Sequence, residues 1–296
     1  MPDQRKAYTY GLLTVLLWST VASAFKLSLR YVDYVQLLLY ASVVSLLLLG
    51  FIAGLQGKAR LLLSFSRRQW LRSLVLGFLN PFLYYVVLFK AYELLPAQEA
   101  QPLNYTWAIT LSLLSIPLLK QKISLTHILA LFVSYAGVLV IGTRGEISSL
   151  RFSDPVGVGL ALGSTIIWSL YWIYNTKDDR DPVLGLFLNF LFGLPFILIY
   201  CLLFSGLRVS HFYGYIGASY VGTFEMGITF ILWLSALKRS ENTAKIANLI
   251  FLSPFVSLVF IHFLVGEDIL LSTLVGLVLI VLGLFIQQSR RRTLQA

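Results

Sequence analysis

Residues 34–56 read YVQLLLYASVVSLLLLGFIAGLQ, a run of 23 residues without one charged side chain. About 20 apolar residues are what a helix needs to cross the roughly 30 Å hydrocarbon layer of a bilayer, at a rise of about 1.5 Å per residue. The run is not alone. Reading apolar stretches against Pro, Gly and charge punctuation gives segments at roughly 9–29, 34–56, 71–93, 97–119, 124–142, 156–176, 183–205, 211–235, 242–264 and 270–288. Between the third and fourth, only Lys90, Glu93, Pro96 and Glu99 mark a turn. The whole chain has the same character, with 58% hydrophobic and 12% charged residues and a mean hydropathy of +0.81, against about 25% charged residues in a soluble domain. The expected fold is an all-α integral membrane protein of ten spans, leaving no room for a soluble domain.

The formal net charge of +10 would suit nucleic acid if the basic residues lined a folded face, but they sit in short clusters between apolar runs, so no nucleic-acid partner is expected. Topology accounts for them better. With the N-terminal tail in the cytoplasm and sides alternating, cytoplasmic segments hold Arg5, Lys6, Lys58, Arg60, Arg67, Arg68, Arg72, Lys120, Lys122, Lys177, Arg180, Lys238, Arg239, Lys245, Arg290, Arg291 and Arg292, which is 17 of the 23 Lys and Arg. Lys26, Arg30, Lys90, Arg144, Arg151 and Arg208 fall outside. The positive-inside rule then places both termini in the cytoplasm, with the protein in a bacterial inner membrane. Arg5 and Lys6 before an apolar stretch ending at Ala22-Ser23-Ala24 also look like a cleavable leader, yet that stretch is long enough to span. The single Cys201 cannot form an intrachain disulfide, and neither redox chemistry nor a thiolate metal cluster is expected.

The two halves of the chain resemble each other. Leu17-Trp18-Ser19 matches Ile167-Trp168-Ser169 at an offset of 150; Gly77, Asn80 and Ala91 match Gly222, Glu225 and Ala236 at 145; Gly137 matches Gly283 at 146. Each match alone is weak, and the near-constant offset carries the weight. Five spans is an odd number, so two such units in one membrane point in opposite directions, the arrangement in which secondary transporters hold a substrate near the midplane. The expected organisation is an N-tail at 1–8, a first five-helix repeat at 9–142, a periplasmic linker at 143–155, a second repeat at 156–288 and a basic tail at 289–296.

Two five-helix halves, a Trp-Ser pair in the first helix of each, and Gly266-Glu267 closing the ninth span before a Gly-containing tenth resemble the EamA branch of the drug/metabolite transporter superfamily. The resemblance runs from about residue 9 to 288. The 16 Tyr and 6 Trp, with Asn80-Pro81-Phe82-Leu83-Tyr84-Tyr85 and Asn104-Tyr105-Thr106-Trp107, are most similar to YddG-type amino-acid exporters. The resemblance implies a basket of helices around a central cavity on spans one, three, four and six, opened alternately to each side, exporting amino acids or related metabolites. One departure stands out: the first repeat has Lys120-Gln121 where the second has Gly266-Glu267.

Glu225, between Gly222 and Gly227, is the residue that most needs a reason, because a carboxylate at the bilayer centre costs a few kcal/mol on insertion scales. It could bind a substrate ammonium group, carry a proton, or serve as a hydrogen-bonded packing residue; its repeat mate, the neutral Asn80, argues against a symmetric proton relay. Pro81 breaks the bonding of span three, giving a kink that is either a hinge or simply tolerated. Pro117, Pro195 and Pro254 raise the same question, and Pro254, near Asn248 and Ser253, is the best placed. Trp70, Tyr92, Tyr213 and Tyr215 lie near span ends and read as interfacial anchors. Trp18, Tyr84, Tyr85, Tyr105, Trp107, Trp168, Tyr171 and Trp172 lie deeper, where each ring singly reads as packing and the set reads as an aromatic cavity able to hold an apolar group or a cation. The candidate cavity residues are therefore Trp18, Asn80, Tyr84, Tyr85, Tyr105, Trp107, Trp168, Tyr171, Glu225 and Asn248. Lys90 and Lys245 are candidate gates that could equally snorkel to an interface, and Gly159 with Gly163 forms a small-xxx-small packing pattern.

The leading expectation is a secondary transporter exporting amino acids, aromatic or broad-range, or related metabolites by alternating access, without cofactor or metal, working as a monomer among membrane lipids, with protons as a candidate coupling ion. No Gly-x-x-x-x-Gly-Lys-Ser/Thr phosphate loop occurs. An exporter of other amphipathic drugs is one alternative. A membrane-embedded lipid-modifying enzyme is another, but His127, His211 and His262 are scattered at span ends without gathered acids or metal ligands. A non-transporting receptor would leave Glu225 and the buried aromatics without a role.

Overall fold

A computed structural model describes residues 4–119, 125–149, 152–175, 178–239 and 248–289. Lys245, Lys120 and Gln121 lie outside the described residues. The described residues are helical, with no strand among them: α1 Gln4–Ser28, α2 Tyr34–Leu55, α3 Arg67–Gly77, α4 Tyr84–Leu94, α5 Ala97–Tyr105, α6 Trp107–Leu119, α7 Leu125–Gly142, α8 Pro155–Asn175, α9 Pro182–Phe204, α10 Phe212–Tyr220, α11 Thr229–Arg239, α12 Ser253–Phe260 and α13 Leu271–Ser289. Widened π-type turns join α3 to α4 (Phe78–Leu83) and α10 to α11 (Val221–Ile228), and a third, Ile261–Val265, extends α12.

Among the described residues, six helical segments are long and apolar enough to cross a membrane: Gln4–Ser28, Tyr34–Leu55, Arg67–Leu94, Pro155–Asn175, Pro182–Phe204 and Phe212–Trp233. Phe132–Gly142, Ser253–Val265 and Leu271–Gly283 are apolar but shorter. Their surfaces are those of a protein dissolved in lipid. Leu47, Phe51, Leu55, Leu203, Phe204, Phe212, Phe263 and Leu271 stand exposed while Ser19, Ser42, Ser45, Ser73, Thr165 and Asn189 are buried, and helices are the form that satisfies every backbone group where water is absent.

Local sequence sets the helix starts. Asp33 accepts from Val35 and Gln36 N–H at 2.8 and 2.9 Å, Ser66 and Gln69 form a reciprocal capping box, and Asp181 accepts from Val183 and Leu184 N–H. The kink expected at Pro81 is present, with Asn80 leaving helical geometry at φ −152° and ψ 119°. Pro254 does not interrupt its helix, because it sits in the first turn of α12, where no intrahelical N–H is needed.

Contacts between helices come in matched pairs. Ser19 of α1 donates to the Ser253 carbonyl at the start of α12 (3.2 Å), and Ser169 of α8 donates to the Trp107 carbonyl at the start of α6 (3.1 Å). Gly77 closes α3 against α9, where an added Cβ would stand 2.3 Å from the Asn189 carbonyl; Gly222 closes its π turn against α2, where a Cβ would stand 2.3 Å from the Ala41 carbonyl. α4 packs on α8 as α11 packs on α1. Gly137 of α7 meets Gly276 of α13 across another close approach. The Gly159 and Gly163 expectation is corrected: beyond its own helix, neither has a described atom within 4 Å of where its Cβ would be, so no described helix packs closely there.

Candidate functional site

Glu225 is carried into the protein by the π turn between α10 and α11, which is tolerated because Gly222 and Gly227 lie flat against Ala41, Val44 and Leu48 of α2. Its side chain is buried at 7% exposure. The Tyr85 hydroxyl donates to Oε1 at 3.1 Å, whereas Oε2 has no hydrogen-bond partner among the described residues. The Trp18 indole N–H lies within reach of the same carboxylate without forming a well-aligned hydrogen bond.

A cavity of about 60 Å³ opens beside this carboxylate, lined by residues from Phe25 and Tyr92 at one end to Trp172, Trp233 and Ile250 at the other. Rings make most of its wall. Tyr84 stacks on Trp168 with centroids 4.5 Å apart, Trp168 continues to Phe230 at 5.7 Å, and Trp18 meets Trp233 at 5.7 Å. The polar groups among them are mostly held: Tyr84 donates to Asn104 Oδ1 at 3.5 Å, Asn104 donates to Ser164 at 2.9 Å, and Tyr105 donates to Ser253 at 2.8 Å. Gln101 Oε1 is buried and, like Glu225 Oε2, unpartnered among the described residues. A wider recess of about 480 Å³ lies at one end of the bundle near Lys58, Asp181 and Arg239, but its carboxylate is already held by Lys58 at 2.7 Å.

Of the residues expected at the cavity, Trp18, Tyr84, Tyr105, Trp107, Trp168 and Glu225 line it, as does Trp172. Tyr85, Asn80 and Tyr171 stand behind the wall: Tyr85 holds Glu225, and Tyr171 accepts from Asn189 at 3.3 Å beside Asn80, whose amide is buried. Asn248 opens the helical turn leading to α12. Lys90 pairs with Glu93 near the surface and lies 5.1 Å from the Tyr34 ring centre. Tyr92 is corrected from interfacial anchor to buried wall residue, because Phe25 packs edge-on against it at 5.1 Å. Gln101 and Trp233 were not expected, although Gln101, Asn104 and Tyr105 have helical spacing and Trp233 lies eight residues, about two turns, beyond Glu225.

The end of the cavity beyond Phe25 and Tyr92 is tied shut. Lys26 donates to the Tyr92 carbonyl at 2.6 Å, and Arg30 donates to the Val265 carbonyl at 2.8 Å. Glu267 accepts from the N–H groups of Ala97 (2.8 Å) and Gln98 (3.1 Å) at the N-terminus of α5, where backbone donors and the helix dipole favour an anion. Glu99, wholly buried, takes Arg144 at 2.8 Å and the Ser153 hydroxyl at 2.5 Å. This gives Gly266-Glu267 a physical role: Gly266 turns with φ 81°, and the next residue caps the neighbouring helix.

The EamA-like transporter family model matches residues 5–143 and again 155–287. The chain belongs to the EamA-like transporter family. An uncharacterized transporter, YvbV, of Bacillus subtilis (strain 168) is 25% identical over 100% of this EamA chain and 95% of its own. An uncharacterized transporter of Clostridium kluyveri is 28% identical over 59% of this chain and 58% of its own length. The aromatic amino acid exporter YddG of Ancylobacter novellus is 26% identical over 61% of each chain. A protein crystal structure shares the fold, with a TM-score of 0.68 and 21% identity over 99% of this chain and 100% of the other. The expected resemblance thus holds for the family, and a YddG exporter is among the relatives.

Proposed function

We propose that this EamA-family member is a secondary transporter that exports small solutes bearing an amino group, aromatic or other amino acids and related metabolites, across a bacterial inner membrane by alternating access. One observation carries the reading: a buried carboxylate oxygen, Glu225 Oε2, stands without a hydrogen-bond partner among the described residues beside an aromatic cavity, far along a helix from either of its ends. Ionisable groups at such depth mark substrate or ion pathways.

The likeness of the Ser19–Ser253 contact to the Ser169–Trp107 contact, and of the Gly77–Asn189 approach to the Gly222–Ala41 approach, supports two inverted five-helix repeats, ten spans in all, with units at 9–142 and 156–288. The distribution of Lys and Arg supports cytoplasmic termini, which puts the tied end of Lys26, Glu99 and Glu267 on the outer side. Two fused repeats enclose the cavity within one chain, in keeping with a working monomer. At about 60 Å³ the cavity is far below the roughly 300–1,000 Å³ of ordinary ligand pockets, so loading requires the wall to part, as alternating access supplies.

Flux of radiolabelled amino acids into liposomes carrying the purified protein tests this, with Glu225→Gln alongside and a pH gradient as second variable. Saturable flux in the parent, reduced at least tenfold by the substitution, is expected, and a response to the gradient would add protons as coupling ion. Undiminished flux in Glu225→Gln would remove this carboxylate from the mechanism, and no flux of any solute would remove transport of amino acids.

A further inference from the structure

The charge of the cavity selects among amino-bearing solutes. Glu225 is the one residue with a formal charge among the described lining residues; the rest are aromatic or aliphatic, with the amides Gln101 and Asn104. Among the buried wall atoms that have no partner among the described residues are two acceptors, Glu225 Oε2 and Gln101 Oε1, and one neutral donor, Trp18 Nε1, which itself lies within reach of Glu225. The amide of Asn104 is already committed to Ser164 and Tyr84. Lys26, at the closed end, donates to the Tyr92 carbonyl.

A zwitterionic amino acid brings an ammonium group and a carboxylate about two bonds apart. Its ammonium suits Glu225 Oε2 and Gln101 Oε1, which both await donors, and the surrounding faces of Trp18, Trp168 and Tyr84 are attractive to a cation. Its carboxylate finds no such welcome. With no Arg or Lys among the described lining residues it would stand near the Glu225 charge in a poorly screened interior, losing its hydration with only neutral donors such as the indole N–H of Trp18 in return. An amine with the same side chain and no carboxylate keeps every favourable contact and avoids that repulsion.

We infer that the Glu225 cavity prefers carboxylate-free organic cations, that is, hydrophobic or aromatic amines and masked amino acids, over the free zwitterionic amino acids. The inference rests on the reading of the cavity as the transport site and narrows its substrate class.

Three ligands sharing one ring separate the contributions: phenylalanine, its methyl ester, and phenethylamine. Binding to the purified full-length protein in nanodiscs is read from quenching of the wall tryptophans. The ester and the amine should each bind at least tenfold more tightly than phenylalanine, and in Glu225→Gln that advantage should fall below threefold. The ester controls for bulk, since it keeps the carboxyl atoms and adds a methyl group while removing the charge. Phenylalanine binding as tightly as its ester in the parent protein overturns the preference while leaving transport in place, and that comparison needs no variant to fold. A preference that survives Glu225→Gln overturns the assignment to this carboxylate, and failure of all three ligands to bind overturns both the preference and the site.

Discussion

Asp181 shows how one side chain serves two purposes in this protein. It caps α9 through Val183 and Leu184 N–H, and it pairs with Lys58 across the gap between α2 and α9. Burial pushes its carboxyl up, but the hydrogen bond from Lys58, the backbone donors and the Lys58 charge together hold it below the ordinary aspartate range. A carboxyl depressed in the folded state contributes stability above the unfolded value, about 4, and loses it as pH falls through the folded value. Asparagine keeps the cap and removes the charge; alanine removes both. Thermal unfolding in detergent should therefore rank parent, Asp181→Asn and Asp181→Ala in falling stability, the first step costing under about 1 kcal/mol for a half-exposed pair and the second about 1 kcal/mol more for the cap. The gap between parent and Asp181→Asn should close below about pH 4. A gap unchanged by acid would show that the pair contributes nothing.

The same residue scale shows what could be read in advance. Glu225 stands out in any reading, because a charge in an apolar run must have a reason. Trp233 and Gln101 were legible in principle through helical spacing from Glu225 and Asn104, but periodicity alone does not say which face of an all-apolar helix looks inward. Tyr92 was misjudged because distance from a helix end is a poor guide to depth where a neighbouring helix covers it, here the end of α1 through Phe25 and Lys26. Glu99 gave no signal beyond marking a turn, since its partner Arg144 lies 45 positions away.

At the scale of the element, helices pack through a few glycines, and sequence pattern did not identify which. Gly159 and Gly163 have the expected spacing and meet no other described element, while Gly77 and Gly222, aligned only by the internal repeat, each face a backbone carbonyl. The difference follows from composition: every helix here offers small residues, and only the tertiary arrangement decides which of them lies at a crossing. Gly77→Ala and Gly222→Ala must therefore push α9 and α2 away, because backbone atoms rather than flexible side-chain ends oppose the new methyl group. Each should lower stability by about 1–3 kcal/mol, the usual cost of overpacking. Gly159→Ala, with open space, should be neutral or up to about 1 kcal/mol stabilising through helix propensity. Melting temperatures of the three variants, measured in the same detergent, decide this; a destabilised Gly159→Ala beside an unaffected Gly77→Ala would mean that the close approaches are not where the structure puts them.

At the scale of the molecule, the two ends are held differently, and this bears on how the cavity opens. One end carries ion pairs between connecting segments, Lys58 with Asp181 and Arg180 with Asp178, and Arg180 also donates to the Gln69 carbonyl of α3, so that α3 is tied to the start of α9. The other end is closed over the cavity by contacts across the two halves of the chain, above all Glu267 on the N-terminus of α5 and the Gln98 amide on Asp268 and Leu270. If the cavity is to open there, these are the bonds that must break, so they set the balance between closed and open forms. Glu267→Ala removes two hydrogen bonds from a carboxylate, each worth about 1.5–3 kcal/mol to a charged group, and about 1.4 kcal/mol corresponds to a tenfold change in an equilibrium. Gln101→Cys, in a Cys201→Ala background, places a reporter thiol on the cavity wall. A membrane-impermeant thiol reagent added on the side of the loop at 143–154 should label it slowly in otherwise parental protein and at least fivefold faster when Glu267→Ala is also present. The same substitution should leave labelling from the opposite side no faster if, as proposed, the carrier alternates, since opening one end then closes the other. Equal acceleration from both sides would show loosening of the whole bundle rather than release of a latch, and no acceleration at all would mean that Glu267 serves the stability of α5 and not the opening of the cavity.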